Sequence, residues 1–163
     1  MLAYVEELVK ALRHEDPAVR MRVANALKEL EDPRATMPLM EALDDEDEGV
    51  RGSVAWALHW VADKRALPKL IGMLGDGNDS VRLWAACGLE RVGDGSAVGA
   101  LIWALKDDYD AVRLNSIYAL GRIGDRRAVE PLMEALNDED ASIRCEAEKI
   151  LREDFGVYLD CNI

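Results

Sequence analysis

Residues 125–144 read Asp-Arg-Arg-Ala-Val-Glu-Pro-Leu-Met-Glu-Ala-Leu-Asn-Asp-Glu-Asp-Ala-Ser-Ile-Arg. Asp125 is a residue type that accepts the free N–H groups at a helix start, and Pro131 is tolerated near a first turn because it has no N–H to satisfy. Val129, Leu132, Met133 and Leu136 then recur at helical spacing. Asn137-Asp138-Glu139-Asp140 interrupts that pattern with an acidic turn, and Ile143-Arg144 belongs to a second apolar-patterned segment. The stretch is one helical hairpin.

The hairpin recurs every 31 residues along the chain, with Val-Arg or Ile-Arg at Val19-Arg20, Val50-Arg51, Val81-Arg82, Val112-Arg113 and Ile143-Arg144. The same step links Leu27, Leu58, Leu89, Leu120 and Leu151, and again Leu8, Leu39, Leu70, Leu101 and Leu132. Asp32, Asp63, Asp94 and Asp125 also recur, each followed three residues later by an alanine. A single hairpin cannot cover its own apolar stripe, so units of this kind are stable only when stacked. The expectation is an all-α, right-handed α-solenoid of five two-helix units, about 1–31, 32–62, 63–93, 94–124 and 125–155, with 156–163 as a C-terminal cap or tail of the same domain. First helices are predicted near 3–13, 33–43, 64–74, 95–105 and 126–136, and second helices near 17–30, 48–61, 79–92, 110–123 and 141–153. Tyr4 at one end and Phe155, Val157, Tyr158, Leu159 and Ile163 at the other read as covers for the terminal hairpins.

Composition narrows the function classes. The 163 residues carry a formal charge of −12, so the long-range field repels phosphate backbones and anionic headgroups. Nucleic acid and membrane are disfavoured partners. The N-terminal stretch is acidic where a secretory signal would be basic, which makes the cytoplasm the default location. Cys87, Cys145 and Cys161 are odd in number and have no CxxC spacing, so neither a disulfide framework nor a zinc site is expected. His14 and His59 fall in different units, and no metal or other cofactor is expected.

The unit from Asp125 to Arg144 resembles the HEAT-like repeat of the phycobilisome-lyase type, and the resemblance extends over residues 3–153. It implies a polar ladder between a turn Asp and an Arg six residues later, matched here by Asp45/Arg51, Asp76/Arg82, Asp107/Arg113 and Asp138/Arg144. The first unit departs from the pattern, having His14 at the Asp position. The resemblance also implies that the second helices line the inner curve and carry the recognition surface. An anion-binding row of the five arginines is the competing reading, opposed by the matched Asp at each step.

With Val19, Val23, Leu27 and Leu30 facing the core, the opposite stripe runs through positions 18, 22, 25 and 29 and their equivalents. That stripe brings together Trp56, Trp60, Trp84, Tyr118, Arg91 and Arg122, flanked by Leu83 and Leu114. Aromatic and arginine side chains dominate interface energetics, so a protein or peptide partner is expected there, with self-association as one variant. Trp103 falls on a first helix and is expected on the outer surface. The competing structural reading has the indoles filling gaps left by an alanine-rich core.

Enzyme readings fare worse. HEAT-type di-iron hydroxylases need repeated His-Glu pairs, which two histidines cannot supply. A DNA-glycosylase-type reading of Trp56, Trp60 and Asp63 lacks the cationic surface that phosphates require. A bilin-lyase-like subunit lacks a thiol or histidine constellation. The expected function is therefore non-enzymatic: a scaffold that binds protein.

Overall fold

The computed structural model describes residues 2–30 and 32–157, and these form ten α-helices and no strand. The first helices are α1 (Leu2–Ala11), α3 (Thr36–Ala42), α5 (Leu67–Met73), α7 (Val98–Ala104) and α9 (Val129–Glu134). The second helices are α2 (Pro17–Leu30), α4 (Glu48–Val61), α6 (Asp79–Val92), α8 (Asp110–Ile123) and α10 (Ala141–Glu153). Each unit after the first thus pairs a short helix with one about twice as long, whereas α1 has 10 residues against 14 in α2.

The second helices cover the predicted ranges, but most first helices do not begin as α-helix. A 3₁₀ turn opens three of them, at Pro33–Ala35, Lys64–Ala66 and Arg126–Ala128. Asp32, Asp63 and Asp125 cap these turns by accepting from the backbone N–H groups of Arg34, Arg65 and Arg127. The alanine three residues after each Asp is buried, so its small side chain lets the tight turn pass close to the next layer. At Asp94 the carboxylate accepts from Ser96 N–H at 2.8 Å, and α7 starts only at Val98.

Layers join through columns of equivalent side chains. Leu27, Leu58, Leu89, Leu120 and Leu151 are fully buried, as are Leu39, Leu70, Leu101 and Leu132. Ala24, Ala55 and Ala86 are small enough for the second helices to approach side by side. At Gly88 a Cβ would stand 3.0 Å from Leu70 Cδ1, so glycine lets the first helix of that unit close on the second. Successive second helices pack along their length, whereas successive first helices barely touch. The tighter side of the stack is therefore the second-helix side, the side that the resemblance assigns to the inner curve.

The ends differ from expectation. Tyr4 is 57% exposed and covers nothing; Val5, one position on, is buried instead. The helical phase there turns the tyrosine outward. Phe155 is buried and Val157 packs against the core, closing the C-terminal hairpin. Tyr158, Leu159 and Ile163, read as part of that cover, lie outside the described residues, as does Cys161.

A row of guanidinium groups crosses the joints. Arg20 grips both carboxylate oxygens of Asp45 at 2.7 Å, and Arg82 grips those of Asp107 at 2.7 and 2.9 Å. Arg51 holds Asp76 and Arg113 holds Asp138 in the same bidentate way. Each arginine thus reaches the Asp of the following layer with its side chain. The turn Asp six residues before it contributes a backbone carbonyl instead, as in Arg82 Nη1 to Asp76 O at 2.9 Å. The same carboxylates also accept a backbone N–H two residues on, for example Tyr109 N to Asp107 at 2.9 Å.

This arrangement accounts for the departure at His14. The His14 side chain and carbonyl fill the local part of the turn Asp's role: His14 Nδ1 accepts Asp16 N–H at 3.0 Å and its carbonyl accepts from Arg20. At the other end Arg144 donates only to the carbonyls of Asp138 and Glu139 among the described residues.

Two predictions follow from the joints. Replacing Arg82 by Ala strands the nearly buried Asp107 carboxylate and is expected to cost about 3 kcal/mol, or roughly 6–12 °C in melting temperature, by circular dichroism. Replacing Arg144 by Ala should change stability by less than about 0.5 kcal/mol; equal losses would contradict this account of the ladder. The second concerns acid. Hydrogen bonds from Arg34, Arg65 and Arg127 hold Asp32, Asp63 and Asp125 down at about 2, against an ordinary 3.8. Burial pushes Asp45, Asp76 and Asp107 up, but their arginine partners outweigh it and hold them low. Folded values below unfolded ones mean that this stability is complete above the unfolded value and is lost as pH falls from about 4 towards 2. Melting temperature should fall steeply across that window, and a flat profile there would refute the assignment.

Candidate interaction surface

The inner surface is built from one face of each second helix. α4 contributes Trp56 and Trp60, α6 contributes Leu83, Trp84 and Arg91, and α8 contributes Leu114, Tyr118 and Arg122. The Trp56 and Trp84 rings meet with centroids 5.8 Å apart at 38°. His59 joins them, 6.0 Å from Trp84 and edge-on to Trp60 at 5.4 Å. The result is one continuous aromatic cluster across α4 and α6.

Cations of the chain border it on one side. Lys28 Nζ sits 3.9 Å from the Trp56 ring centroid, and the Arg91 guanidinium lies 5.8 Å from that of Trp60. Both lie in the last turns of their helices, where positive charge complements the helix dipole. Arg122 is exposed and approaches Glu90 at 3.8 Å. His59, Ala62, Glu90, Arg91 and Arg122 line a hollow of about 490 Å³ along this edge. Ala62 closes α4 in the left-handed conformation, φ 50°, at the register position where Gly124 closes α8 at φ 68°.

The stripe is less open than its register suggests. Trp60 remains 41% exposed, but Trp56, Trp84 and Tyr118 are half-buried. Leu83 and Leu114 are half-buried and pack against the core. Cys87, in the column of Trp56 and Tyr118, is buried and donates to Asn115 Oδ1 at 3.2 Å. The cause is side-chain direction. Helical side chains lean toward the N-terminus of their helix, so neighbours meet diagonally, 28 residues apart, as Trp56 with Trp84 and Cys87 with Asn115. Trp103 stands apart on α7, 63% exposed on the outer side.

Sequence reasoning missed Lys28, His59 as a member of the cluster, and the hollow below Trp56. That hollow, about 480 Å³, is lined by Met21, Glu48, Gly49, Gly52, Ser53, Trp56, Asn78, Ser80 and Trp84. The available signal was the run of small residues at 49, 52, 53 and 80 beside two tryptophans.

The titratable groups here are poorly placed for catalysis. Burial pushes the Cys87 thiol up to about 11, which leaves it protonated and weakly nucleophilic. Burial likewise pushes His59 below its ordinary 6.5, and its buried Nδ1 has no partner among the described residues. No group of three or more His, Cys, Asp or Glu able to hold a metal occurs among the described residues. No helix among them is long and apolar enough to cross a membrane.

The stacked hairpins, the guanidinium row and the inner face formed by second helices define a helical-repeat solenoid of the HEAT and armadillo class. Residues 5–90 and 73–152 match HEAT repeats, and the chain belongs to that family. Curated protein sequences give no significant match. Among solved structures, a chain of the complex of CpcE and CpcF of phycocyanin lyase from Nostoc sp. PCC7120 is similar with TM-score 0.82 and 25% identity. That likeness covers 91% of this chain and 64% of the neighbour, so the chain spans a little under two thirds of that protein's length. A designed armadillo repeat protein in complex with the peptide (KR)4 shares the fold at TM-score 0.73 and 18% identity, covering 89% of this chain and 79% of that one. An archaeal HEAT-like repeats protein from Thermococcus onnurineus NA1 does so at TM-score 0.67 and 15% identity, covering 100% and 75%. The phycobilisome-lyase type of HEAT-like repeat is thereby supported.

Proposed function

We propose that this chain is a non-enzymatic interaction module, working in the cytoplasm, that docks a protein or peptide on the inner surface of its second helices. One observation carries the reading: Trp56, Trp60 and Trp84 form with His59 one aromatic cluster on the second helices, and none of these tryptophans, nor Tyr118 on the next second helix, is buried. Rings that served only to fill gaps between layers would be closed off, as Leu58 and Leu89 are. Half-buried aromatics held by fixed neighbours give a partner large contact area at small ordering cost, the profile of interface hot spots. Arg91 and Arg122 favour acidic groups in the partner along the C-terminal edge of α6 and α8. A second copy of the chain is one candidate partner.

The neighbours support a polypeptide partner in general. CpcE is found with CpcF, and the designed armadillo protein with a peptide. A second reading, a bilin-lyase-like subunit, draws on the 25% identity to the phycocyanin lyase complex. The protonated Cys87 and the lack of a histidine cluster oppose it, as the formal charge of −12 opposes nucleic acid.

The double variant Trp56→Ala/Trp84→Ala is expected to weaken partner capture, or self-association measured by light scattering, by more than about 30-fold while the helical spectrum persists. Unchanged association with a lowered melting temperature would show that the rings serve packing alone. Titration with a linear tetrapyrrole is expected to leave its absorption band unmoved. A saturable band shift would favour the lyase-type reading instead.

A further inference from the structure

The hollow beside Trp56 and Trp84 has a chemistry of its own. Its floor is small: Gly49, Gly52, Ser53 and Ser80 leave space that a larger residue would fill. At Gly49 a Cβ would stand 3.1 Å from both Met21 Sδ and Asp47 Oδ1, so the absence of a side chain keeps this end open. One wall is the pair of indoles, another is the Met21 thioether, and the single ionised group lining it is Glu48.

Glu48 is exposed in the first turn of α4 and takes part in no ion pair among the described residues; Arg51, one turn on, is committed to Asp76. Asp79 stands in the first turn of α6, so the surrounding edge is negative as well. An aromatic wall attracts cations through its ring quadrupole, and the chain already uses the Trp56 ring in that way with Lys28.

We propose that this hollow receives an arginine side chain of the partner, its guanidinium lying along the indole wall with its N–H groups directed to the Glu48 carboxylate and the Ser53 and Ser80 hydroxyls. A planar guanidinium suits the site because it can stack on an indole and donate in its own plane at once. The proposal deepens the interaction-module reading and rests on it. It gives the bound segment a polarity: a cationic side chain at the N-terminal ends of α4 and α6, and acidic groups at the edge marked by Arg91 and Arg122.

The test is a fluorescence titration with an acetylated, amidated tetra-arginine peptide at about 0.15 M salt, where the Debye length is about 8 Å, in a Trp103→Phe background that removes the outer indole. Saturable quenching is expected, weakened about fivefold or more by Glu48→Gln and by Trp84→Leu, which keeps apolar bulk without the ring. Glu130→Gln, which removes an equal charge from the outer surface, should change binding by less than about twofold, because charges beyond a Debye length are screened. Absence of saturable quenching, or equal losses from Glu48→Gln and Glu130→Gln, would overturn the assignment. In that event, continued loss of partner capture by Trp56→Ala/Trp84→Ala would leave the interaction surface standing and remove only its arginine pocket. If capture survives the double variant as well, the surface itself is refuted.

Discussion

Each joint between hairpins is fixed by a guanidinium that binds in two directions at once. Its fork grips a carboxylate in the next layer while its remaining nitrogen holds carbonyls of its own turn. Leucine columns supply most of the burial, but burial is non-directional and tolerates sliding of one layer over another. A bidentate pair does not. With Asp107 nearly enclosed and Arg82 mostly so, a slip of one turn would leave a charge without a partner in a poorly hydrated place. Register, and hence the alignment of the inner face, follows from that row.

The proposed interaction surface inherits its order from this alignment. Because α4, α6 and α8 are held side by side at fixed offset, Trp56, Trp84 and Tyr118 come to one face. The charges on that face also have a structural origin. Acidic residues at 48, 79 and 110 stand in first turns, and Lys28, Arg91 and Arg122 stand in last turns, where each sign complements the helix dipole. A surface arranged for helix stability is thereby polar across its width, and a partner can exploit it.

Much of this was legible in the sequence. The bounds of the second helices followed from Val19, Leu27 and their equivalents, since strict recurrence over five units leaves one helical phase. The 3₁₀ starts at Pro33, Lys64 and Arg126 were not legible, because an Asp cap and a downstream apolar stripe suit either kind of turn. Register gave the face of each tryptophan but not its neighbours. Columns pair positions 31 apart, while side chains that lean along the helix meet 28 apart and arginines reach 25 apart. Cys87, in the column of Trp56, is buried for that reason, and Tyr4 faces out because the phase of α1 buries Val5 instead.

The unequal helices have a mechanical implication. Fourteen-residue helices press together along the inside, whereas the helices of six or seven residues outside scarcely meet. Bending the stack therefore opens or closes the sparse outer seam and leaves the dense inner one almost unstrained, as in a leaf spring whose neutral line lies near one surface. The spacing of the aromatic face is conserved under flexure while its curvature adapts.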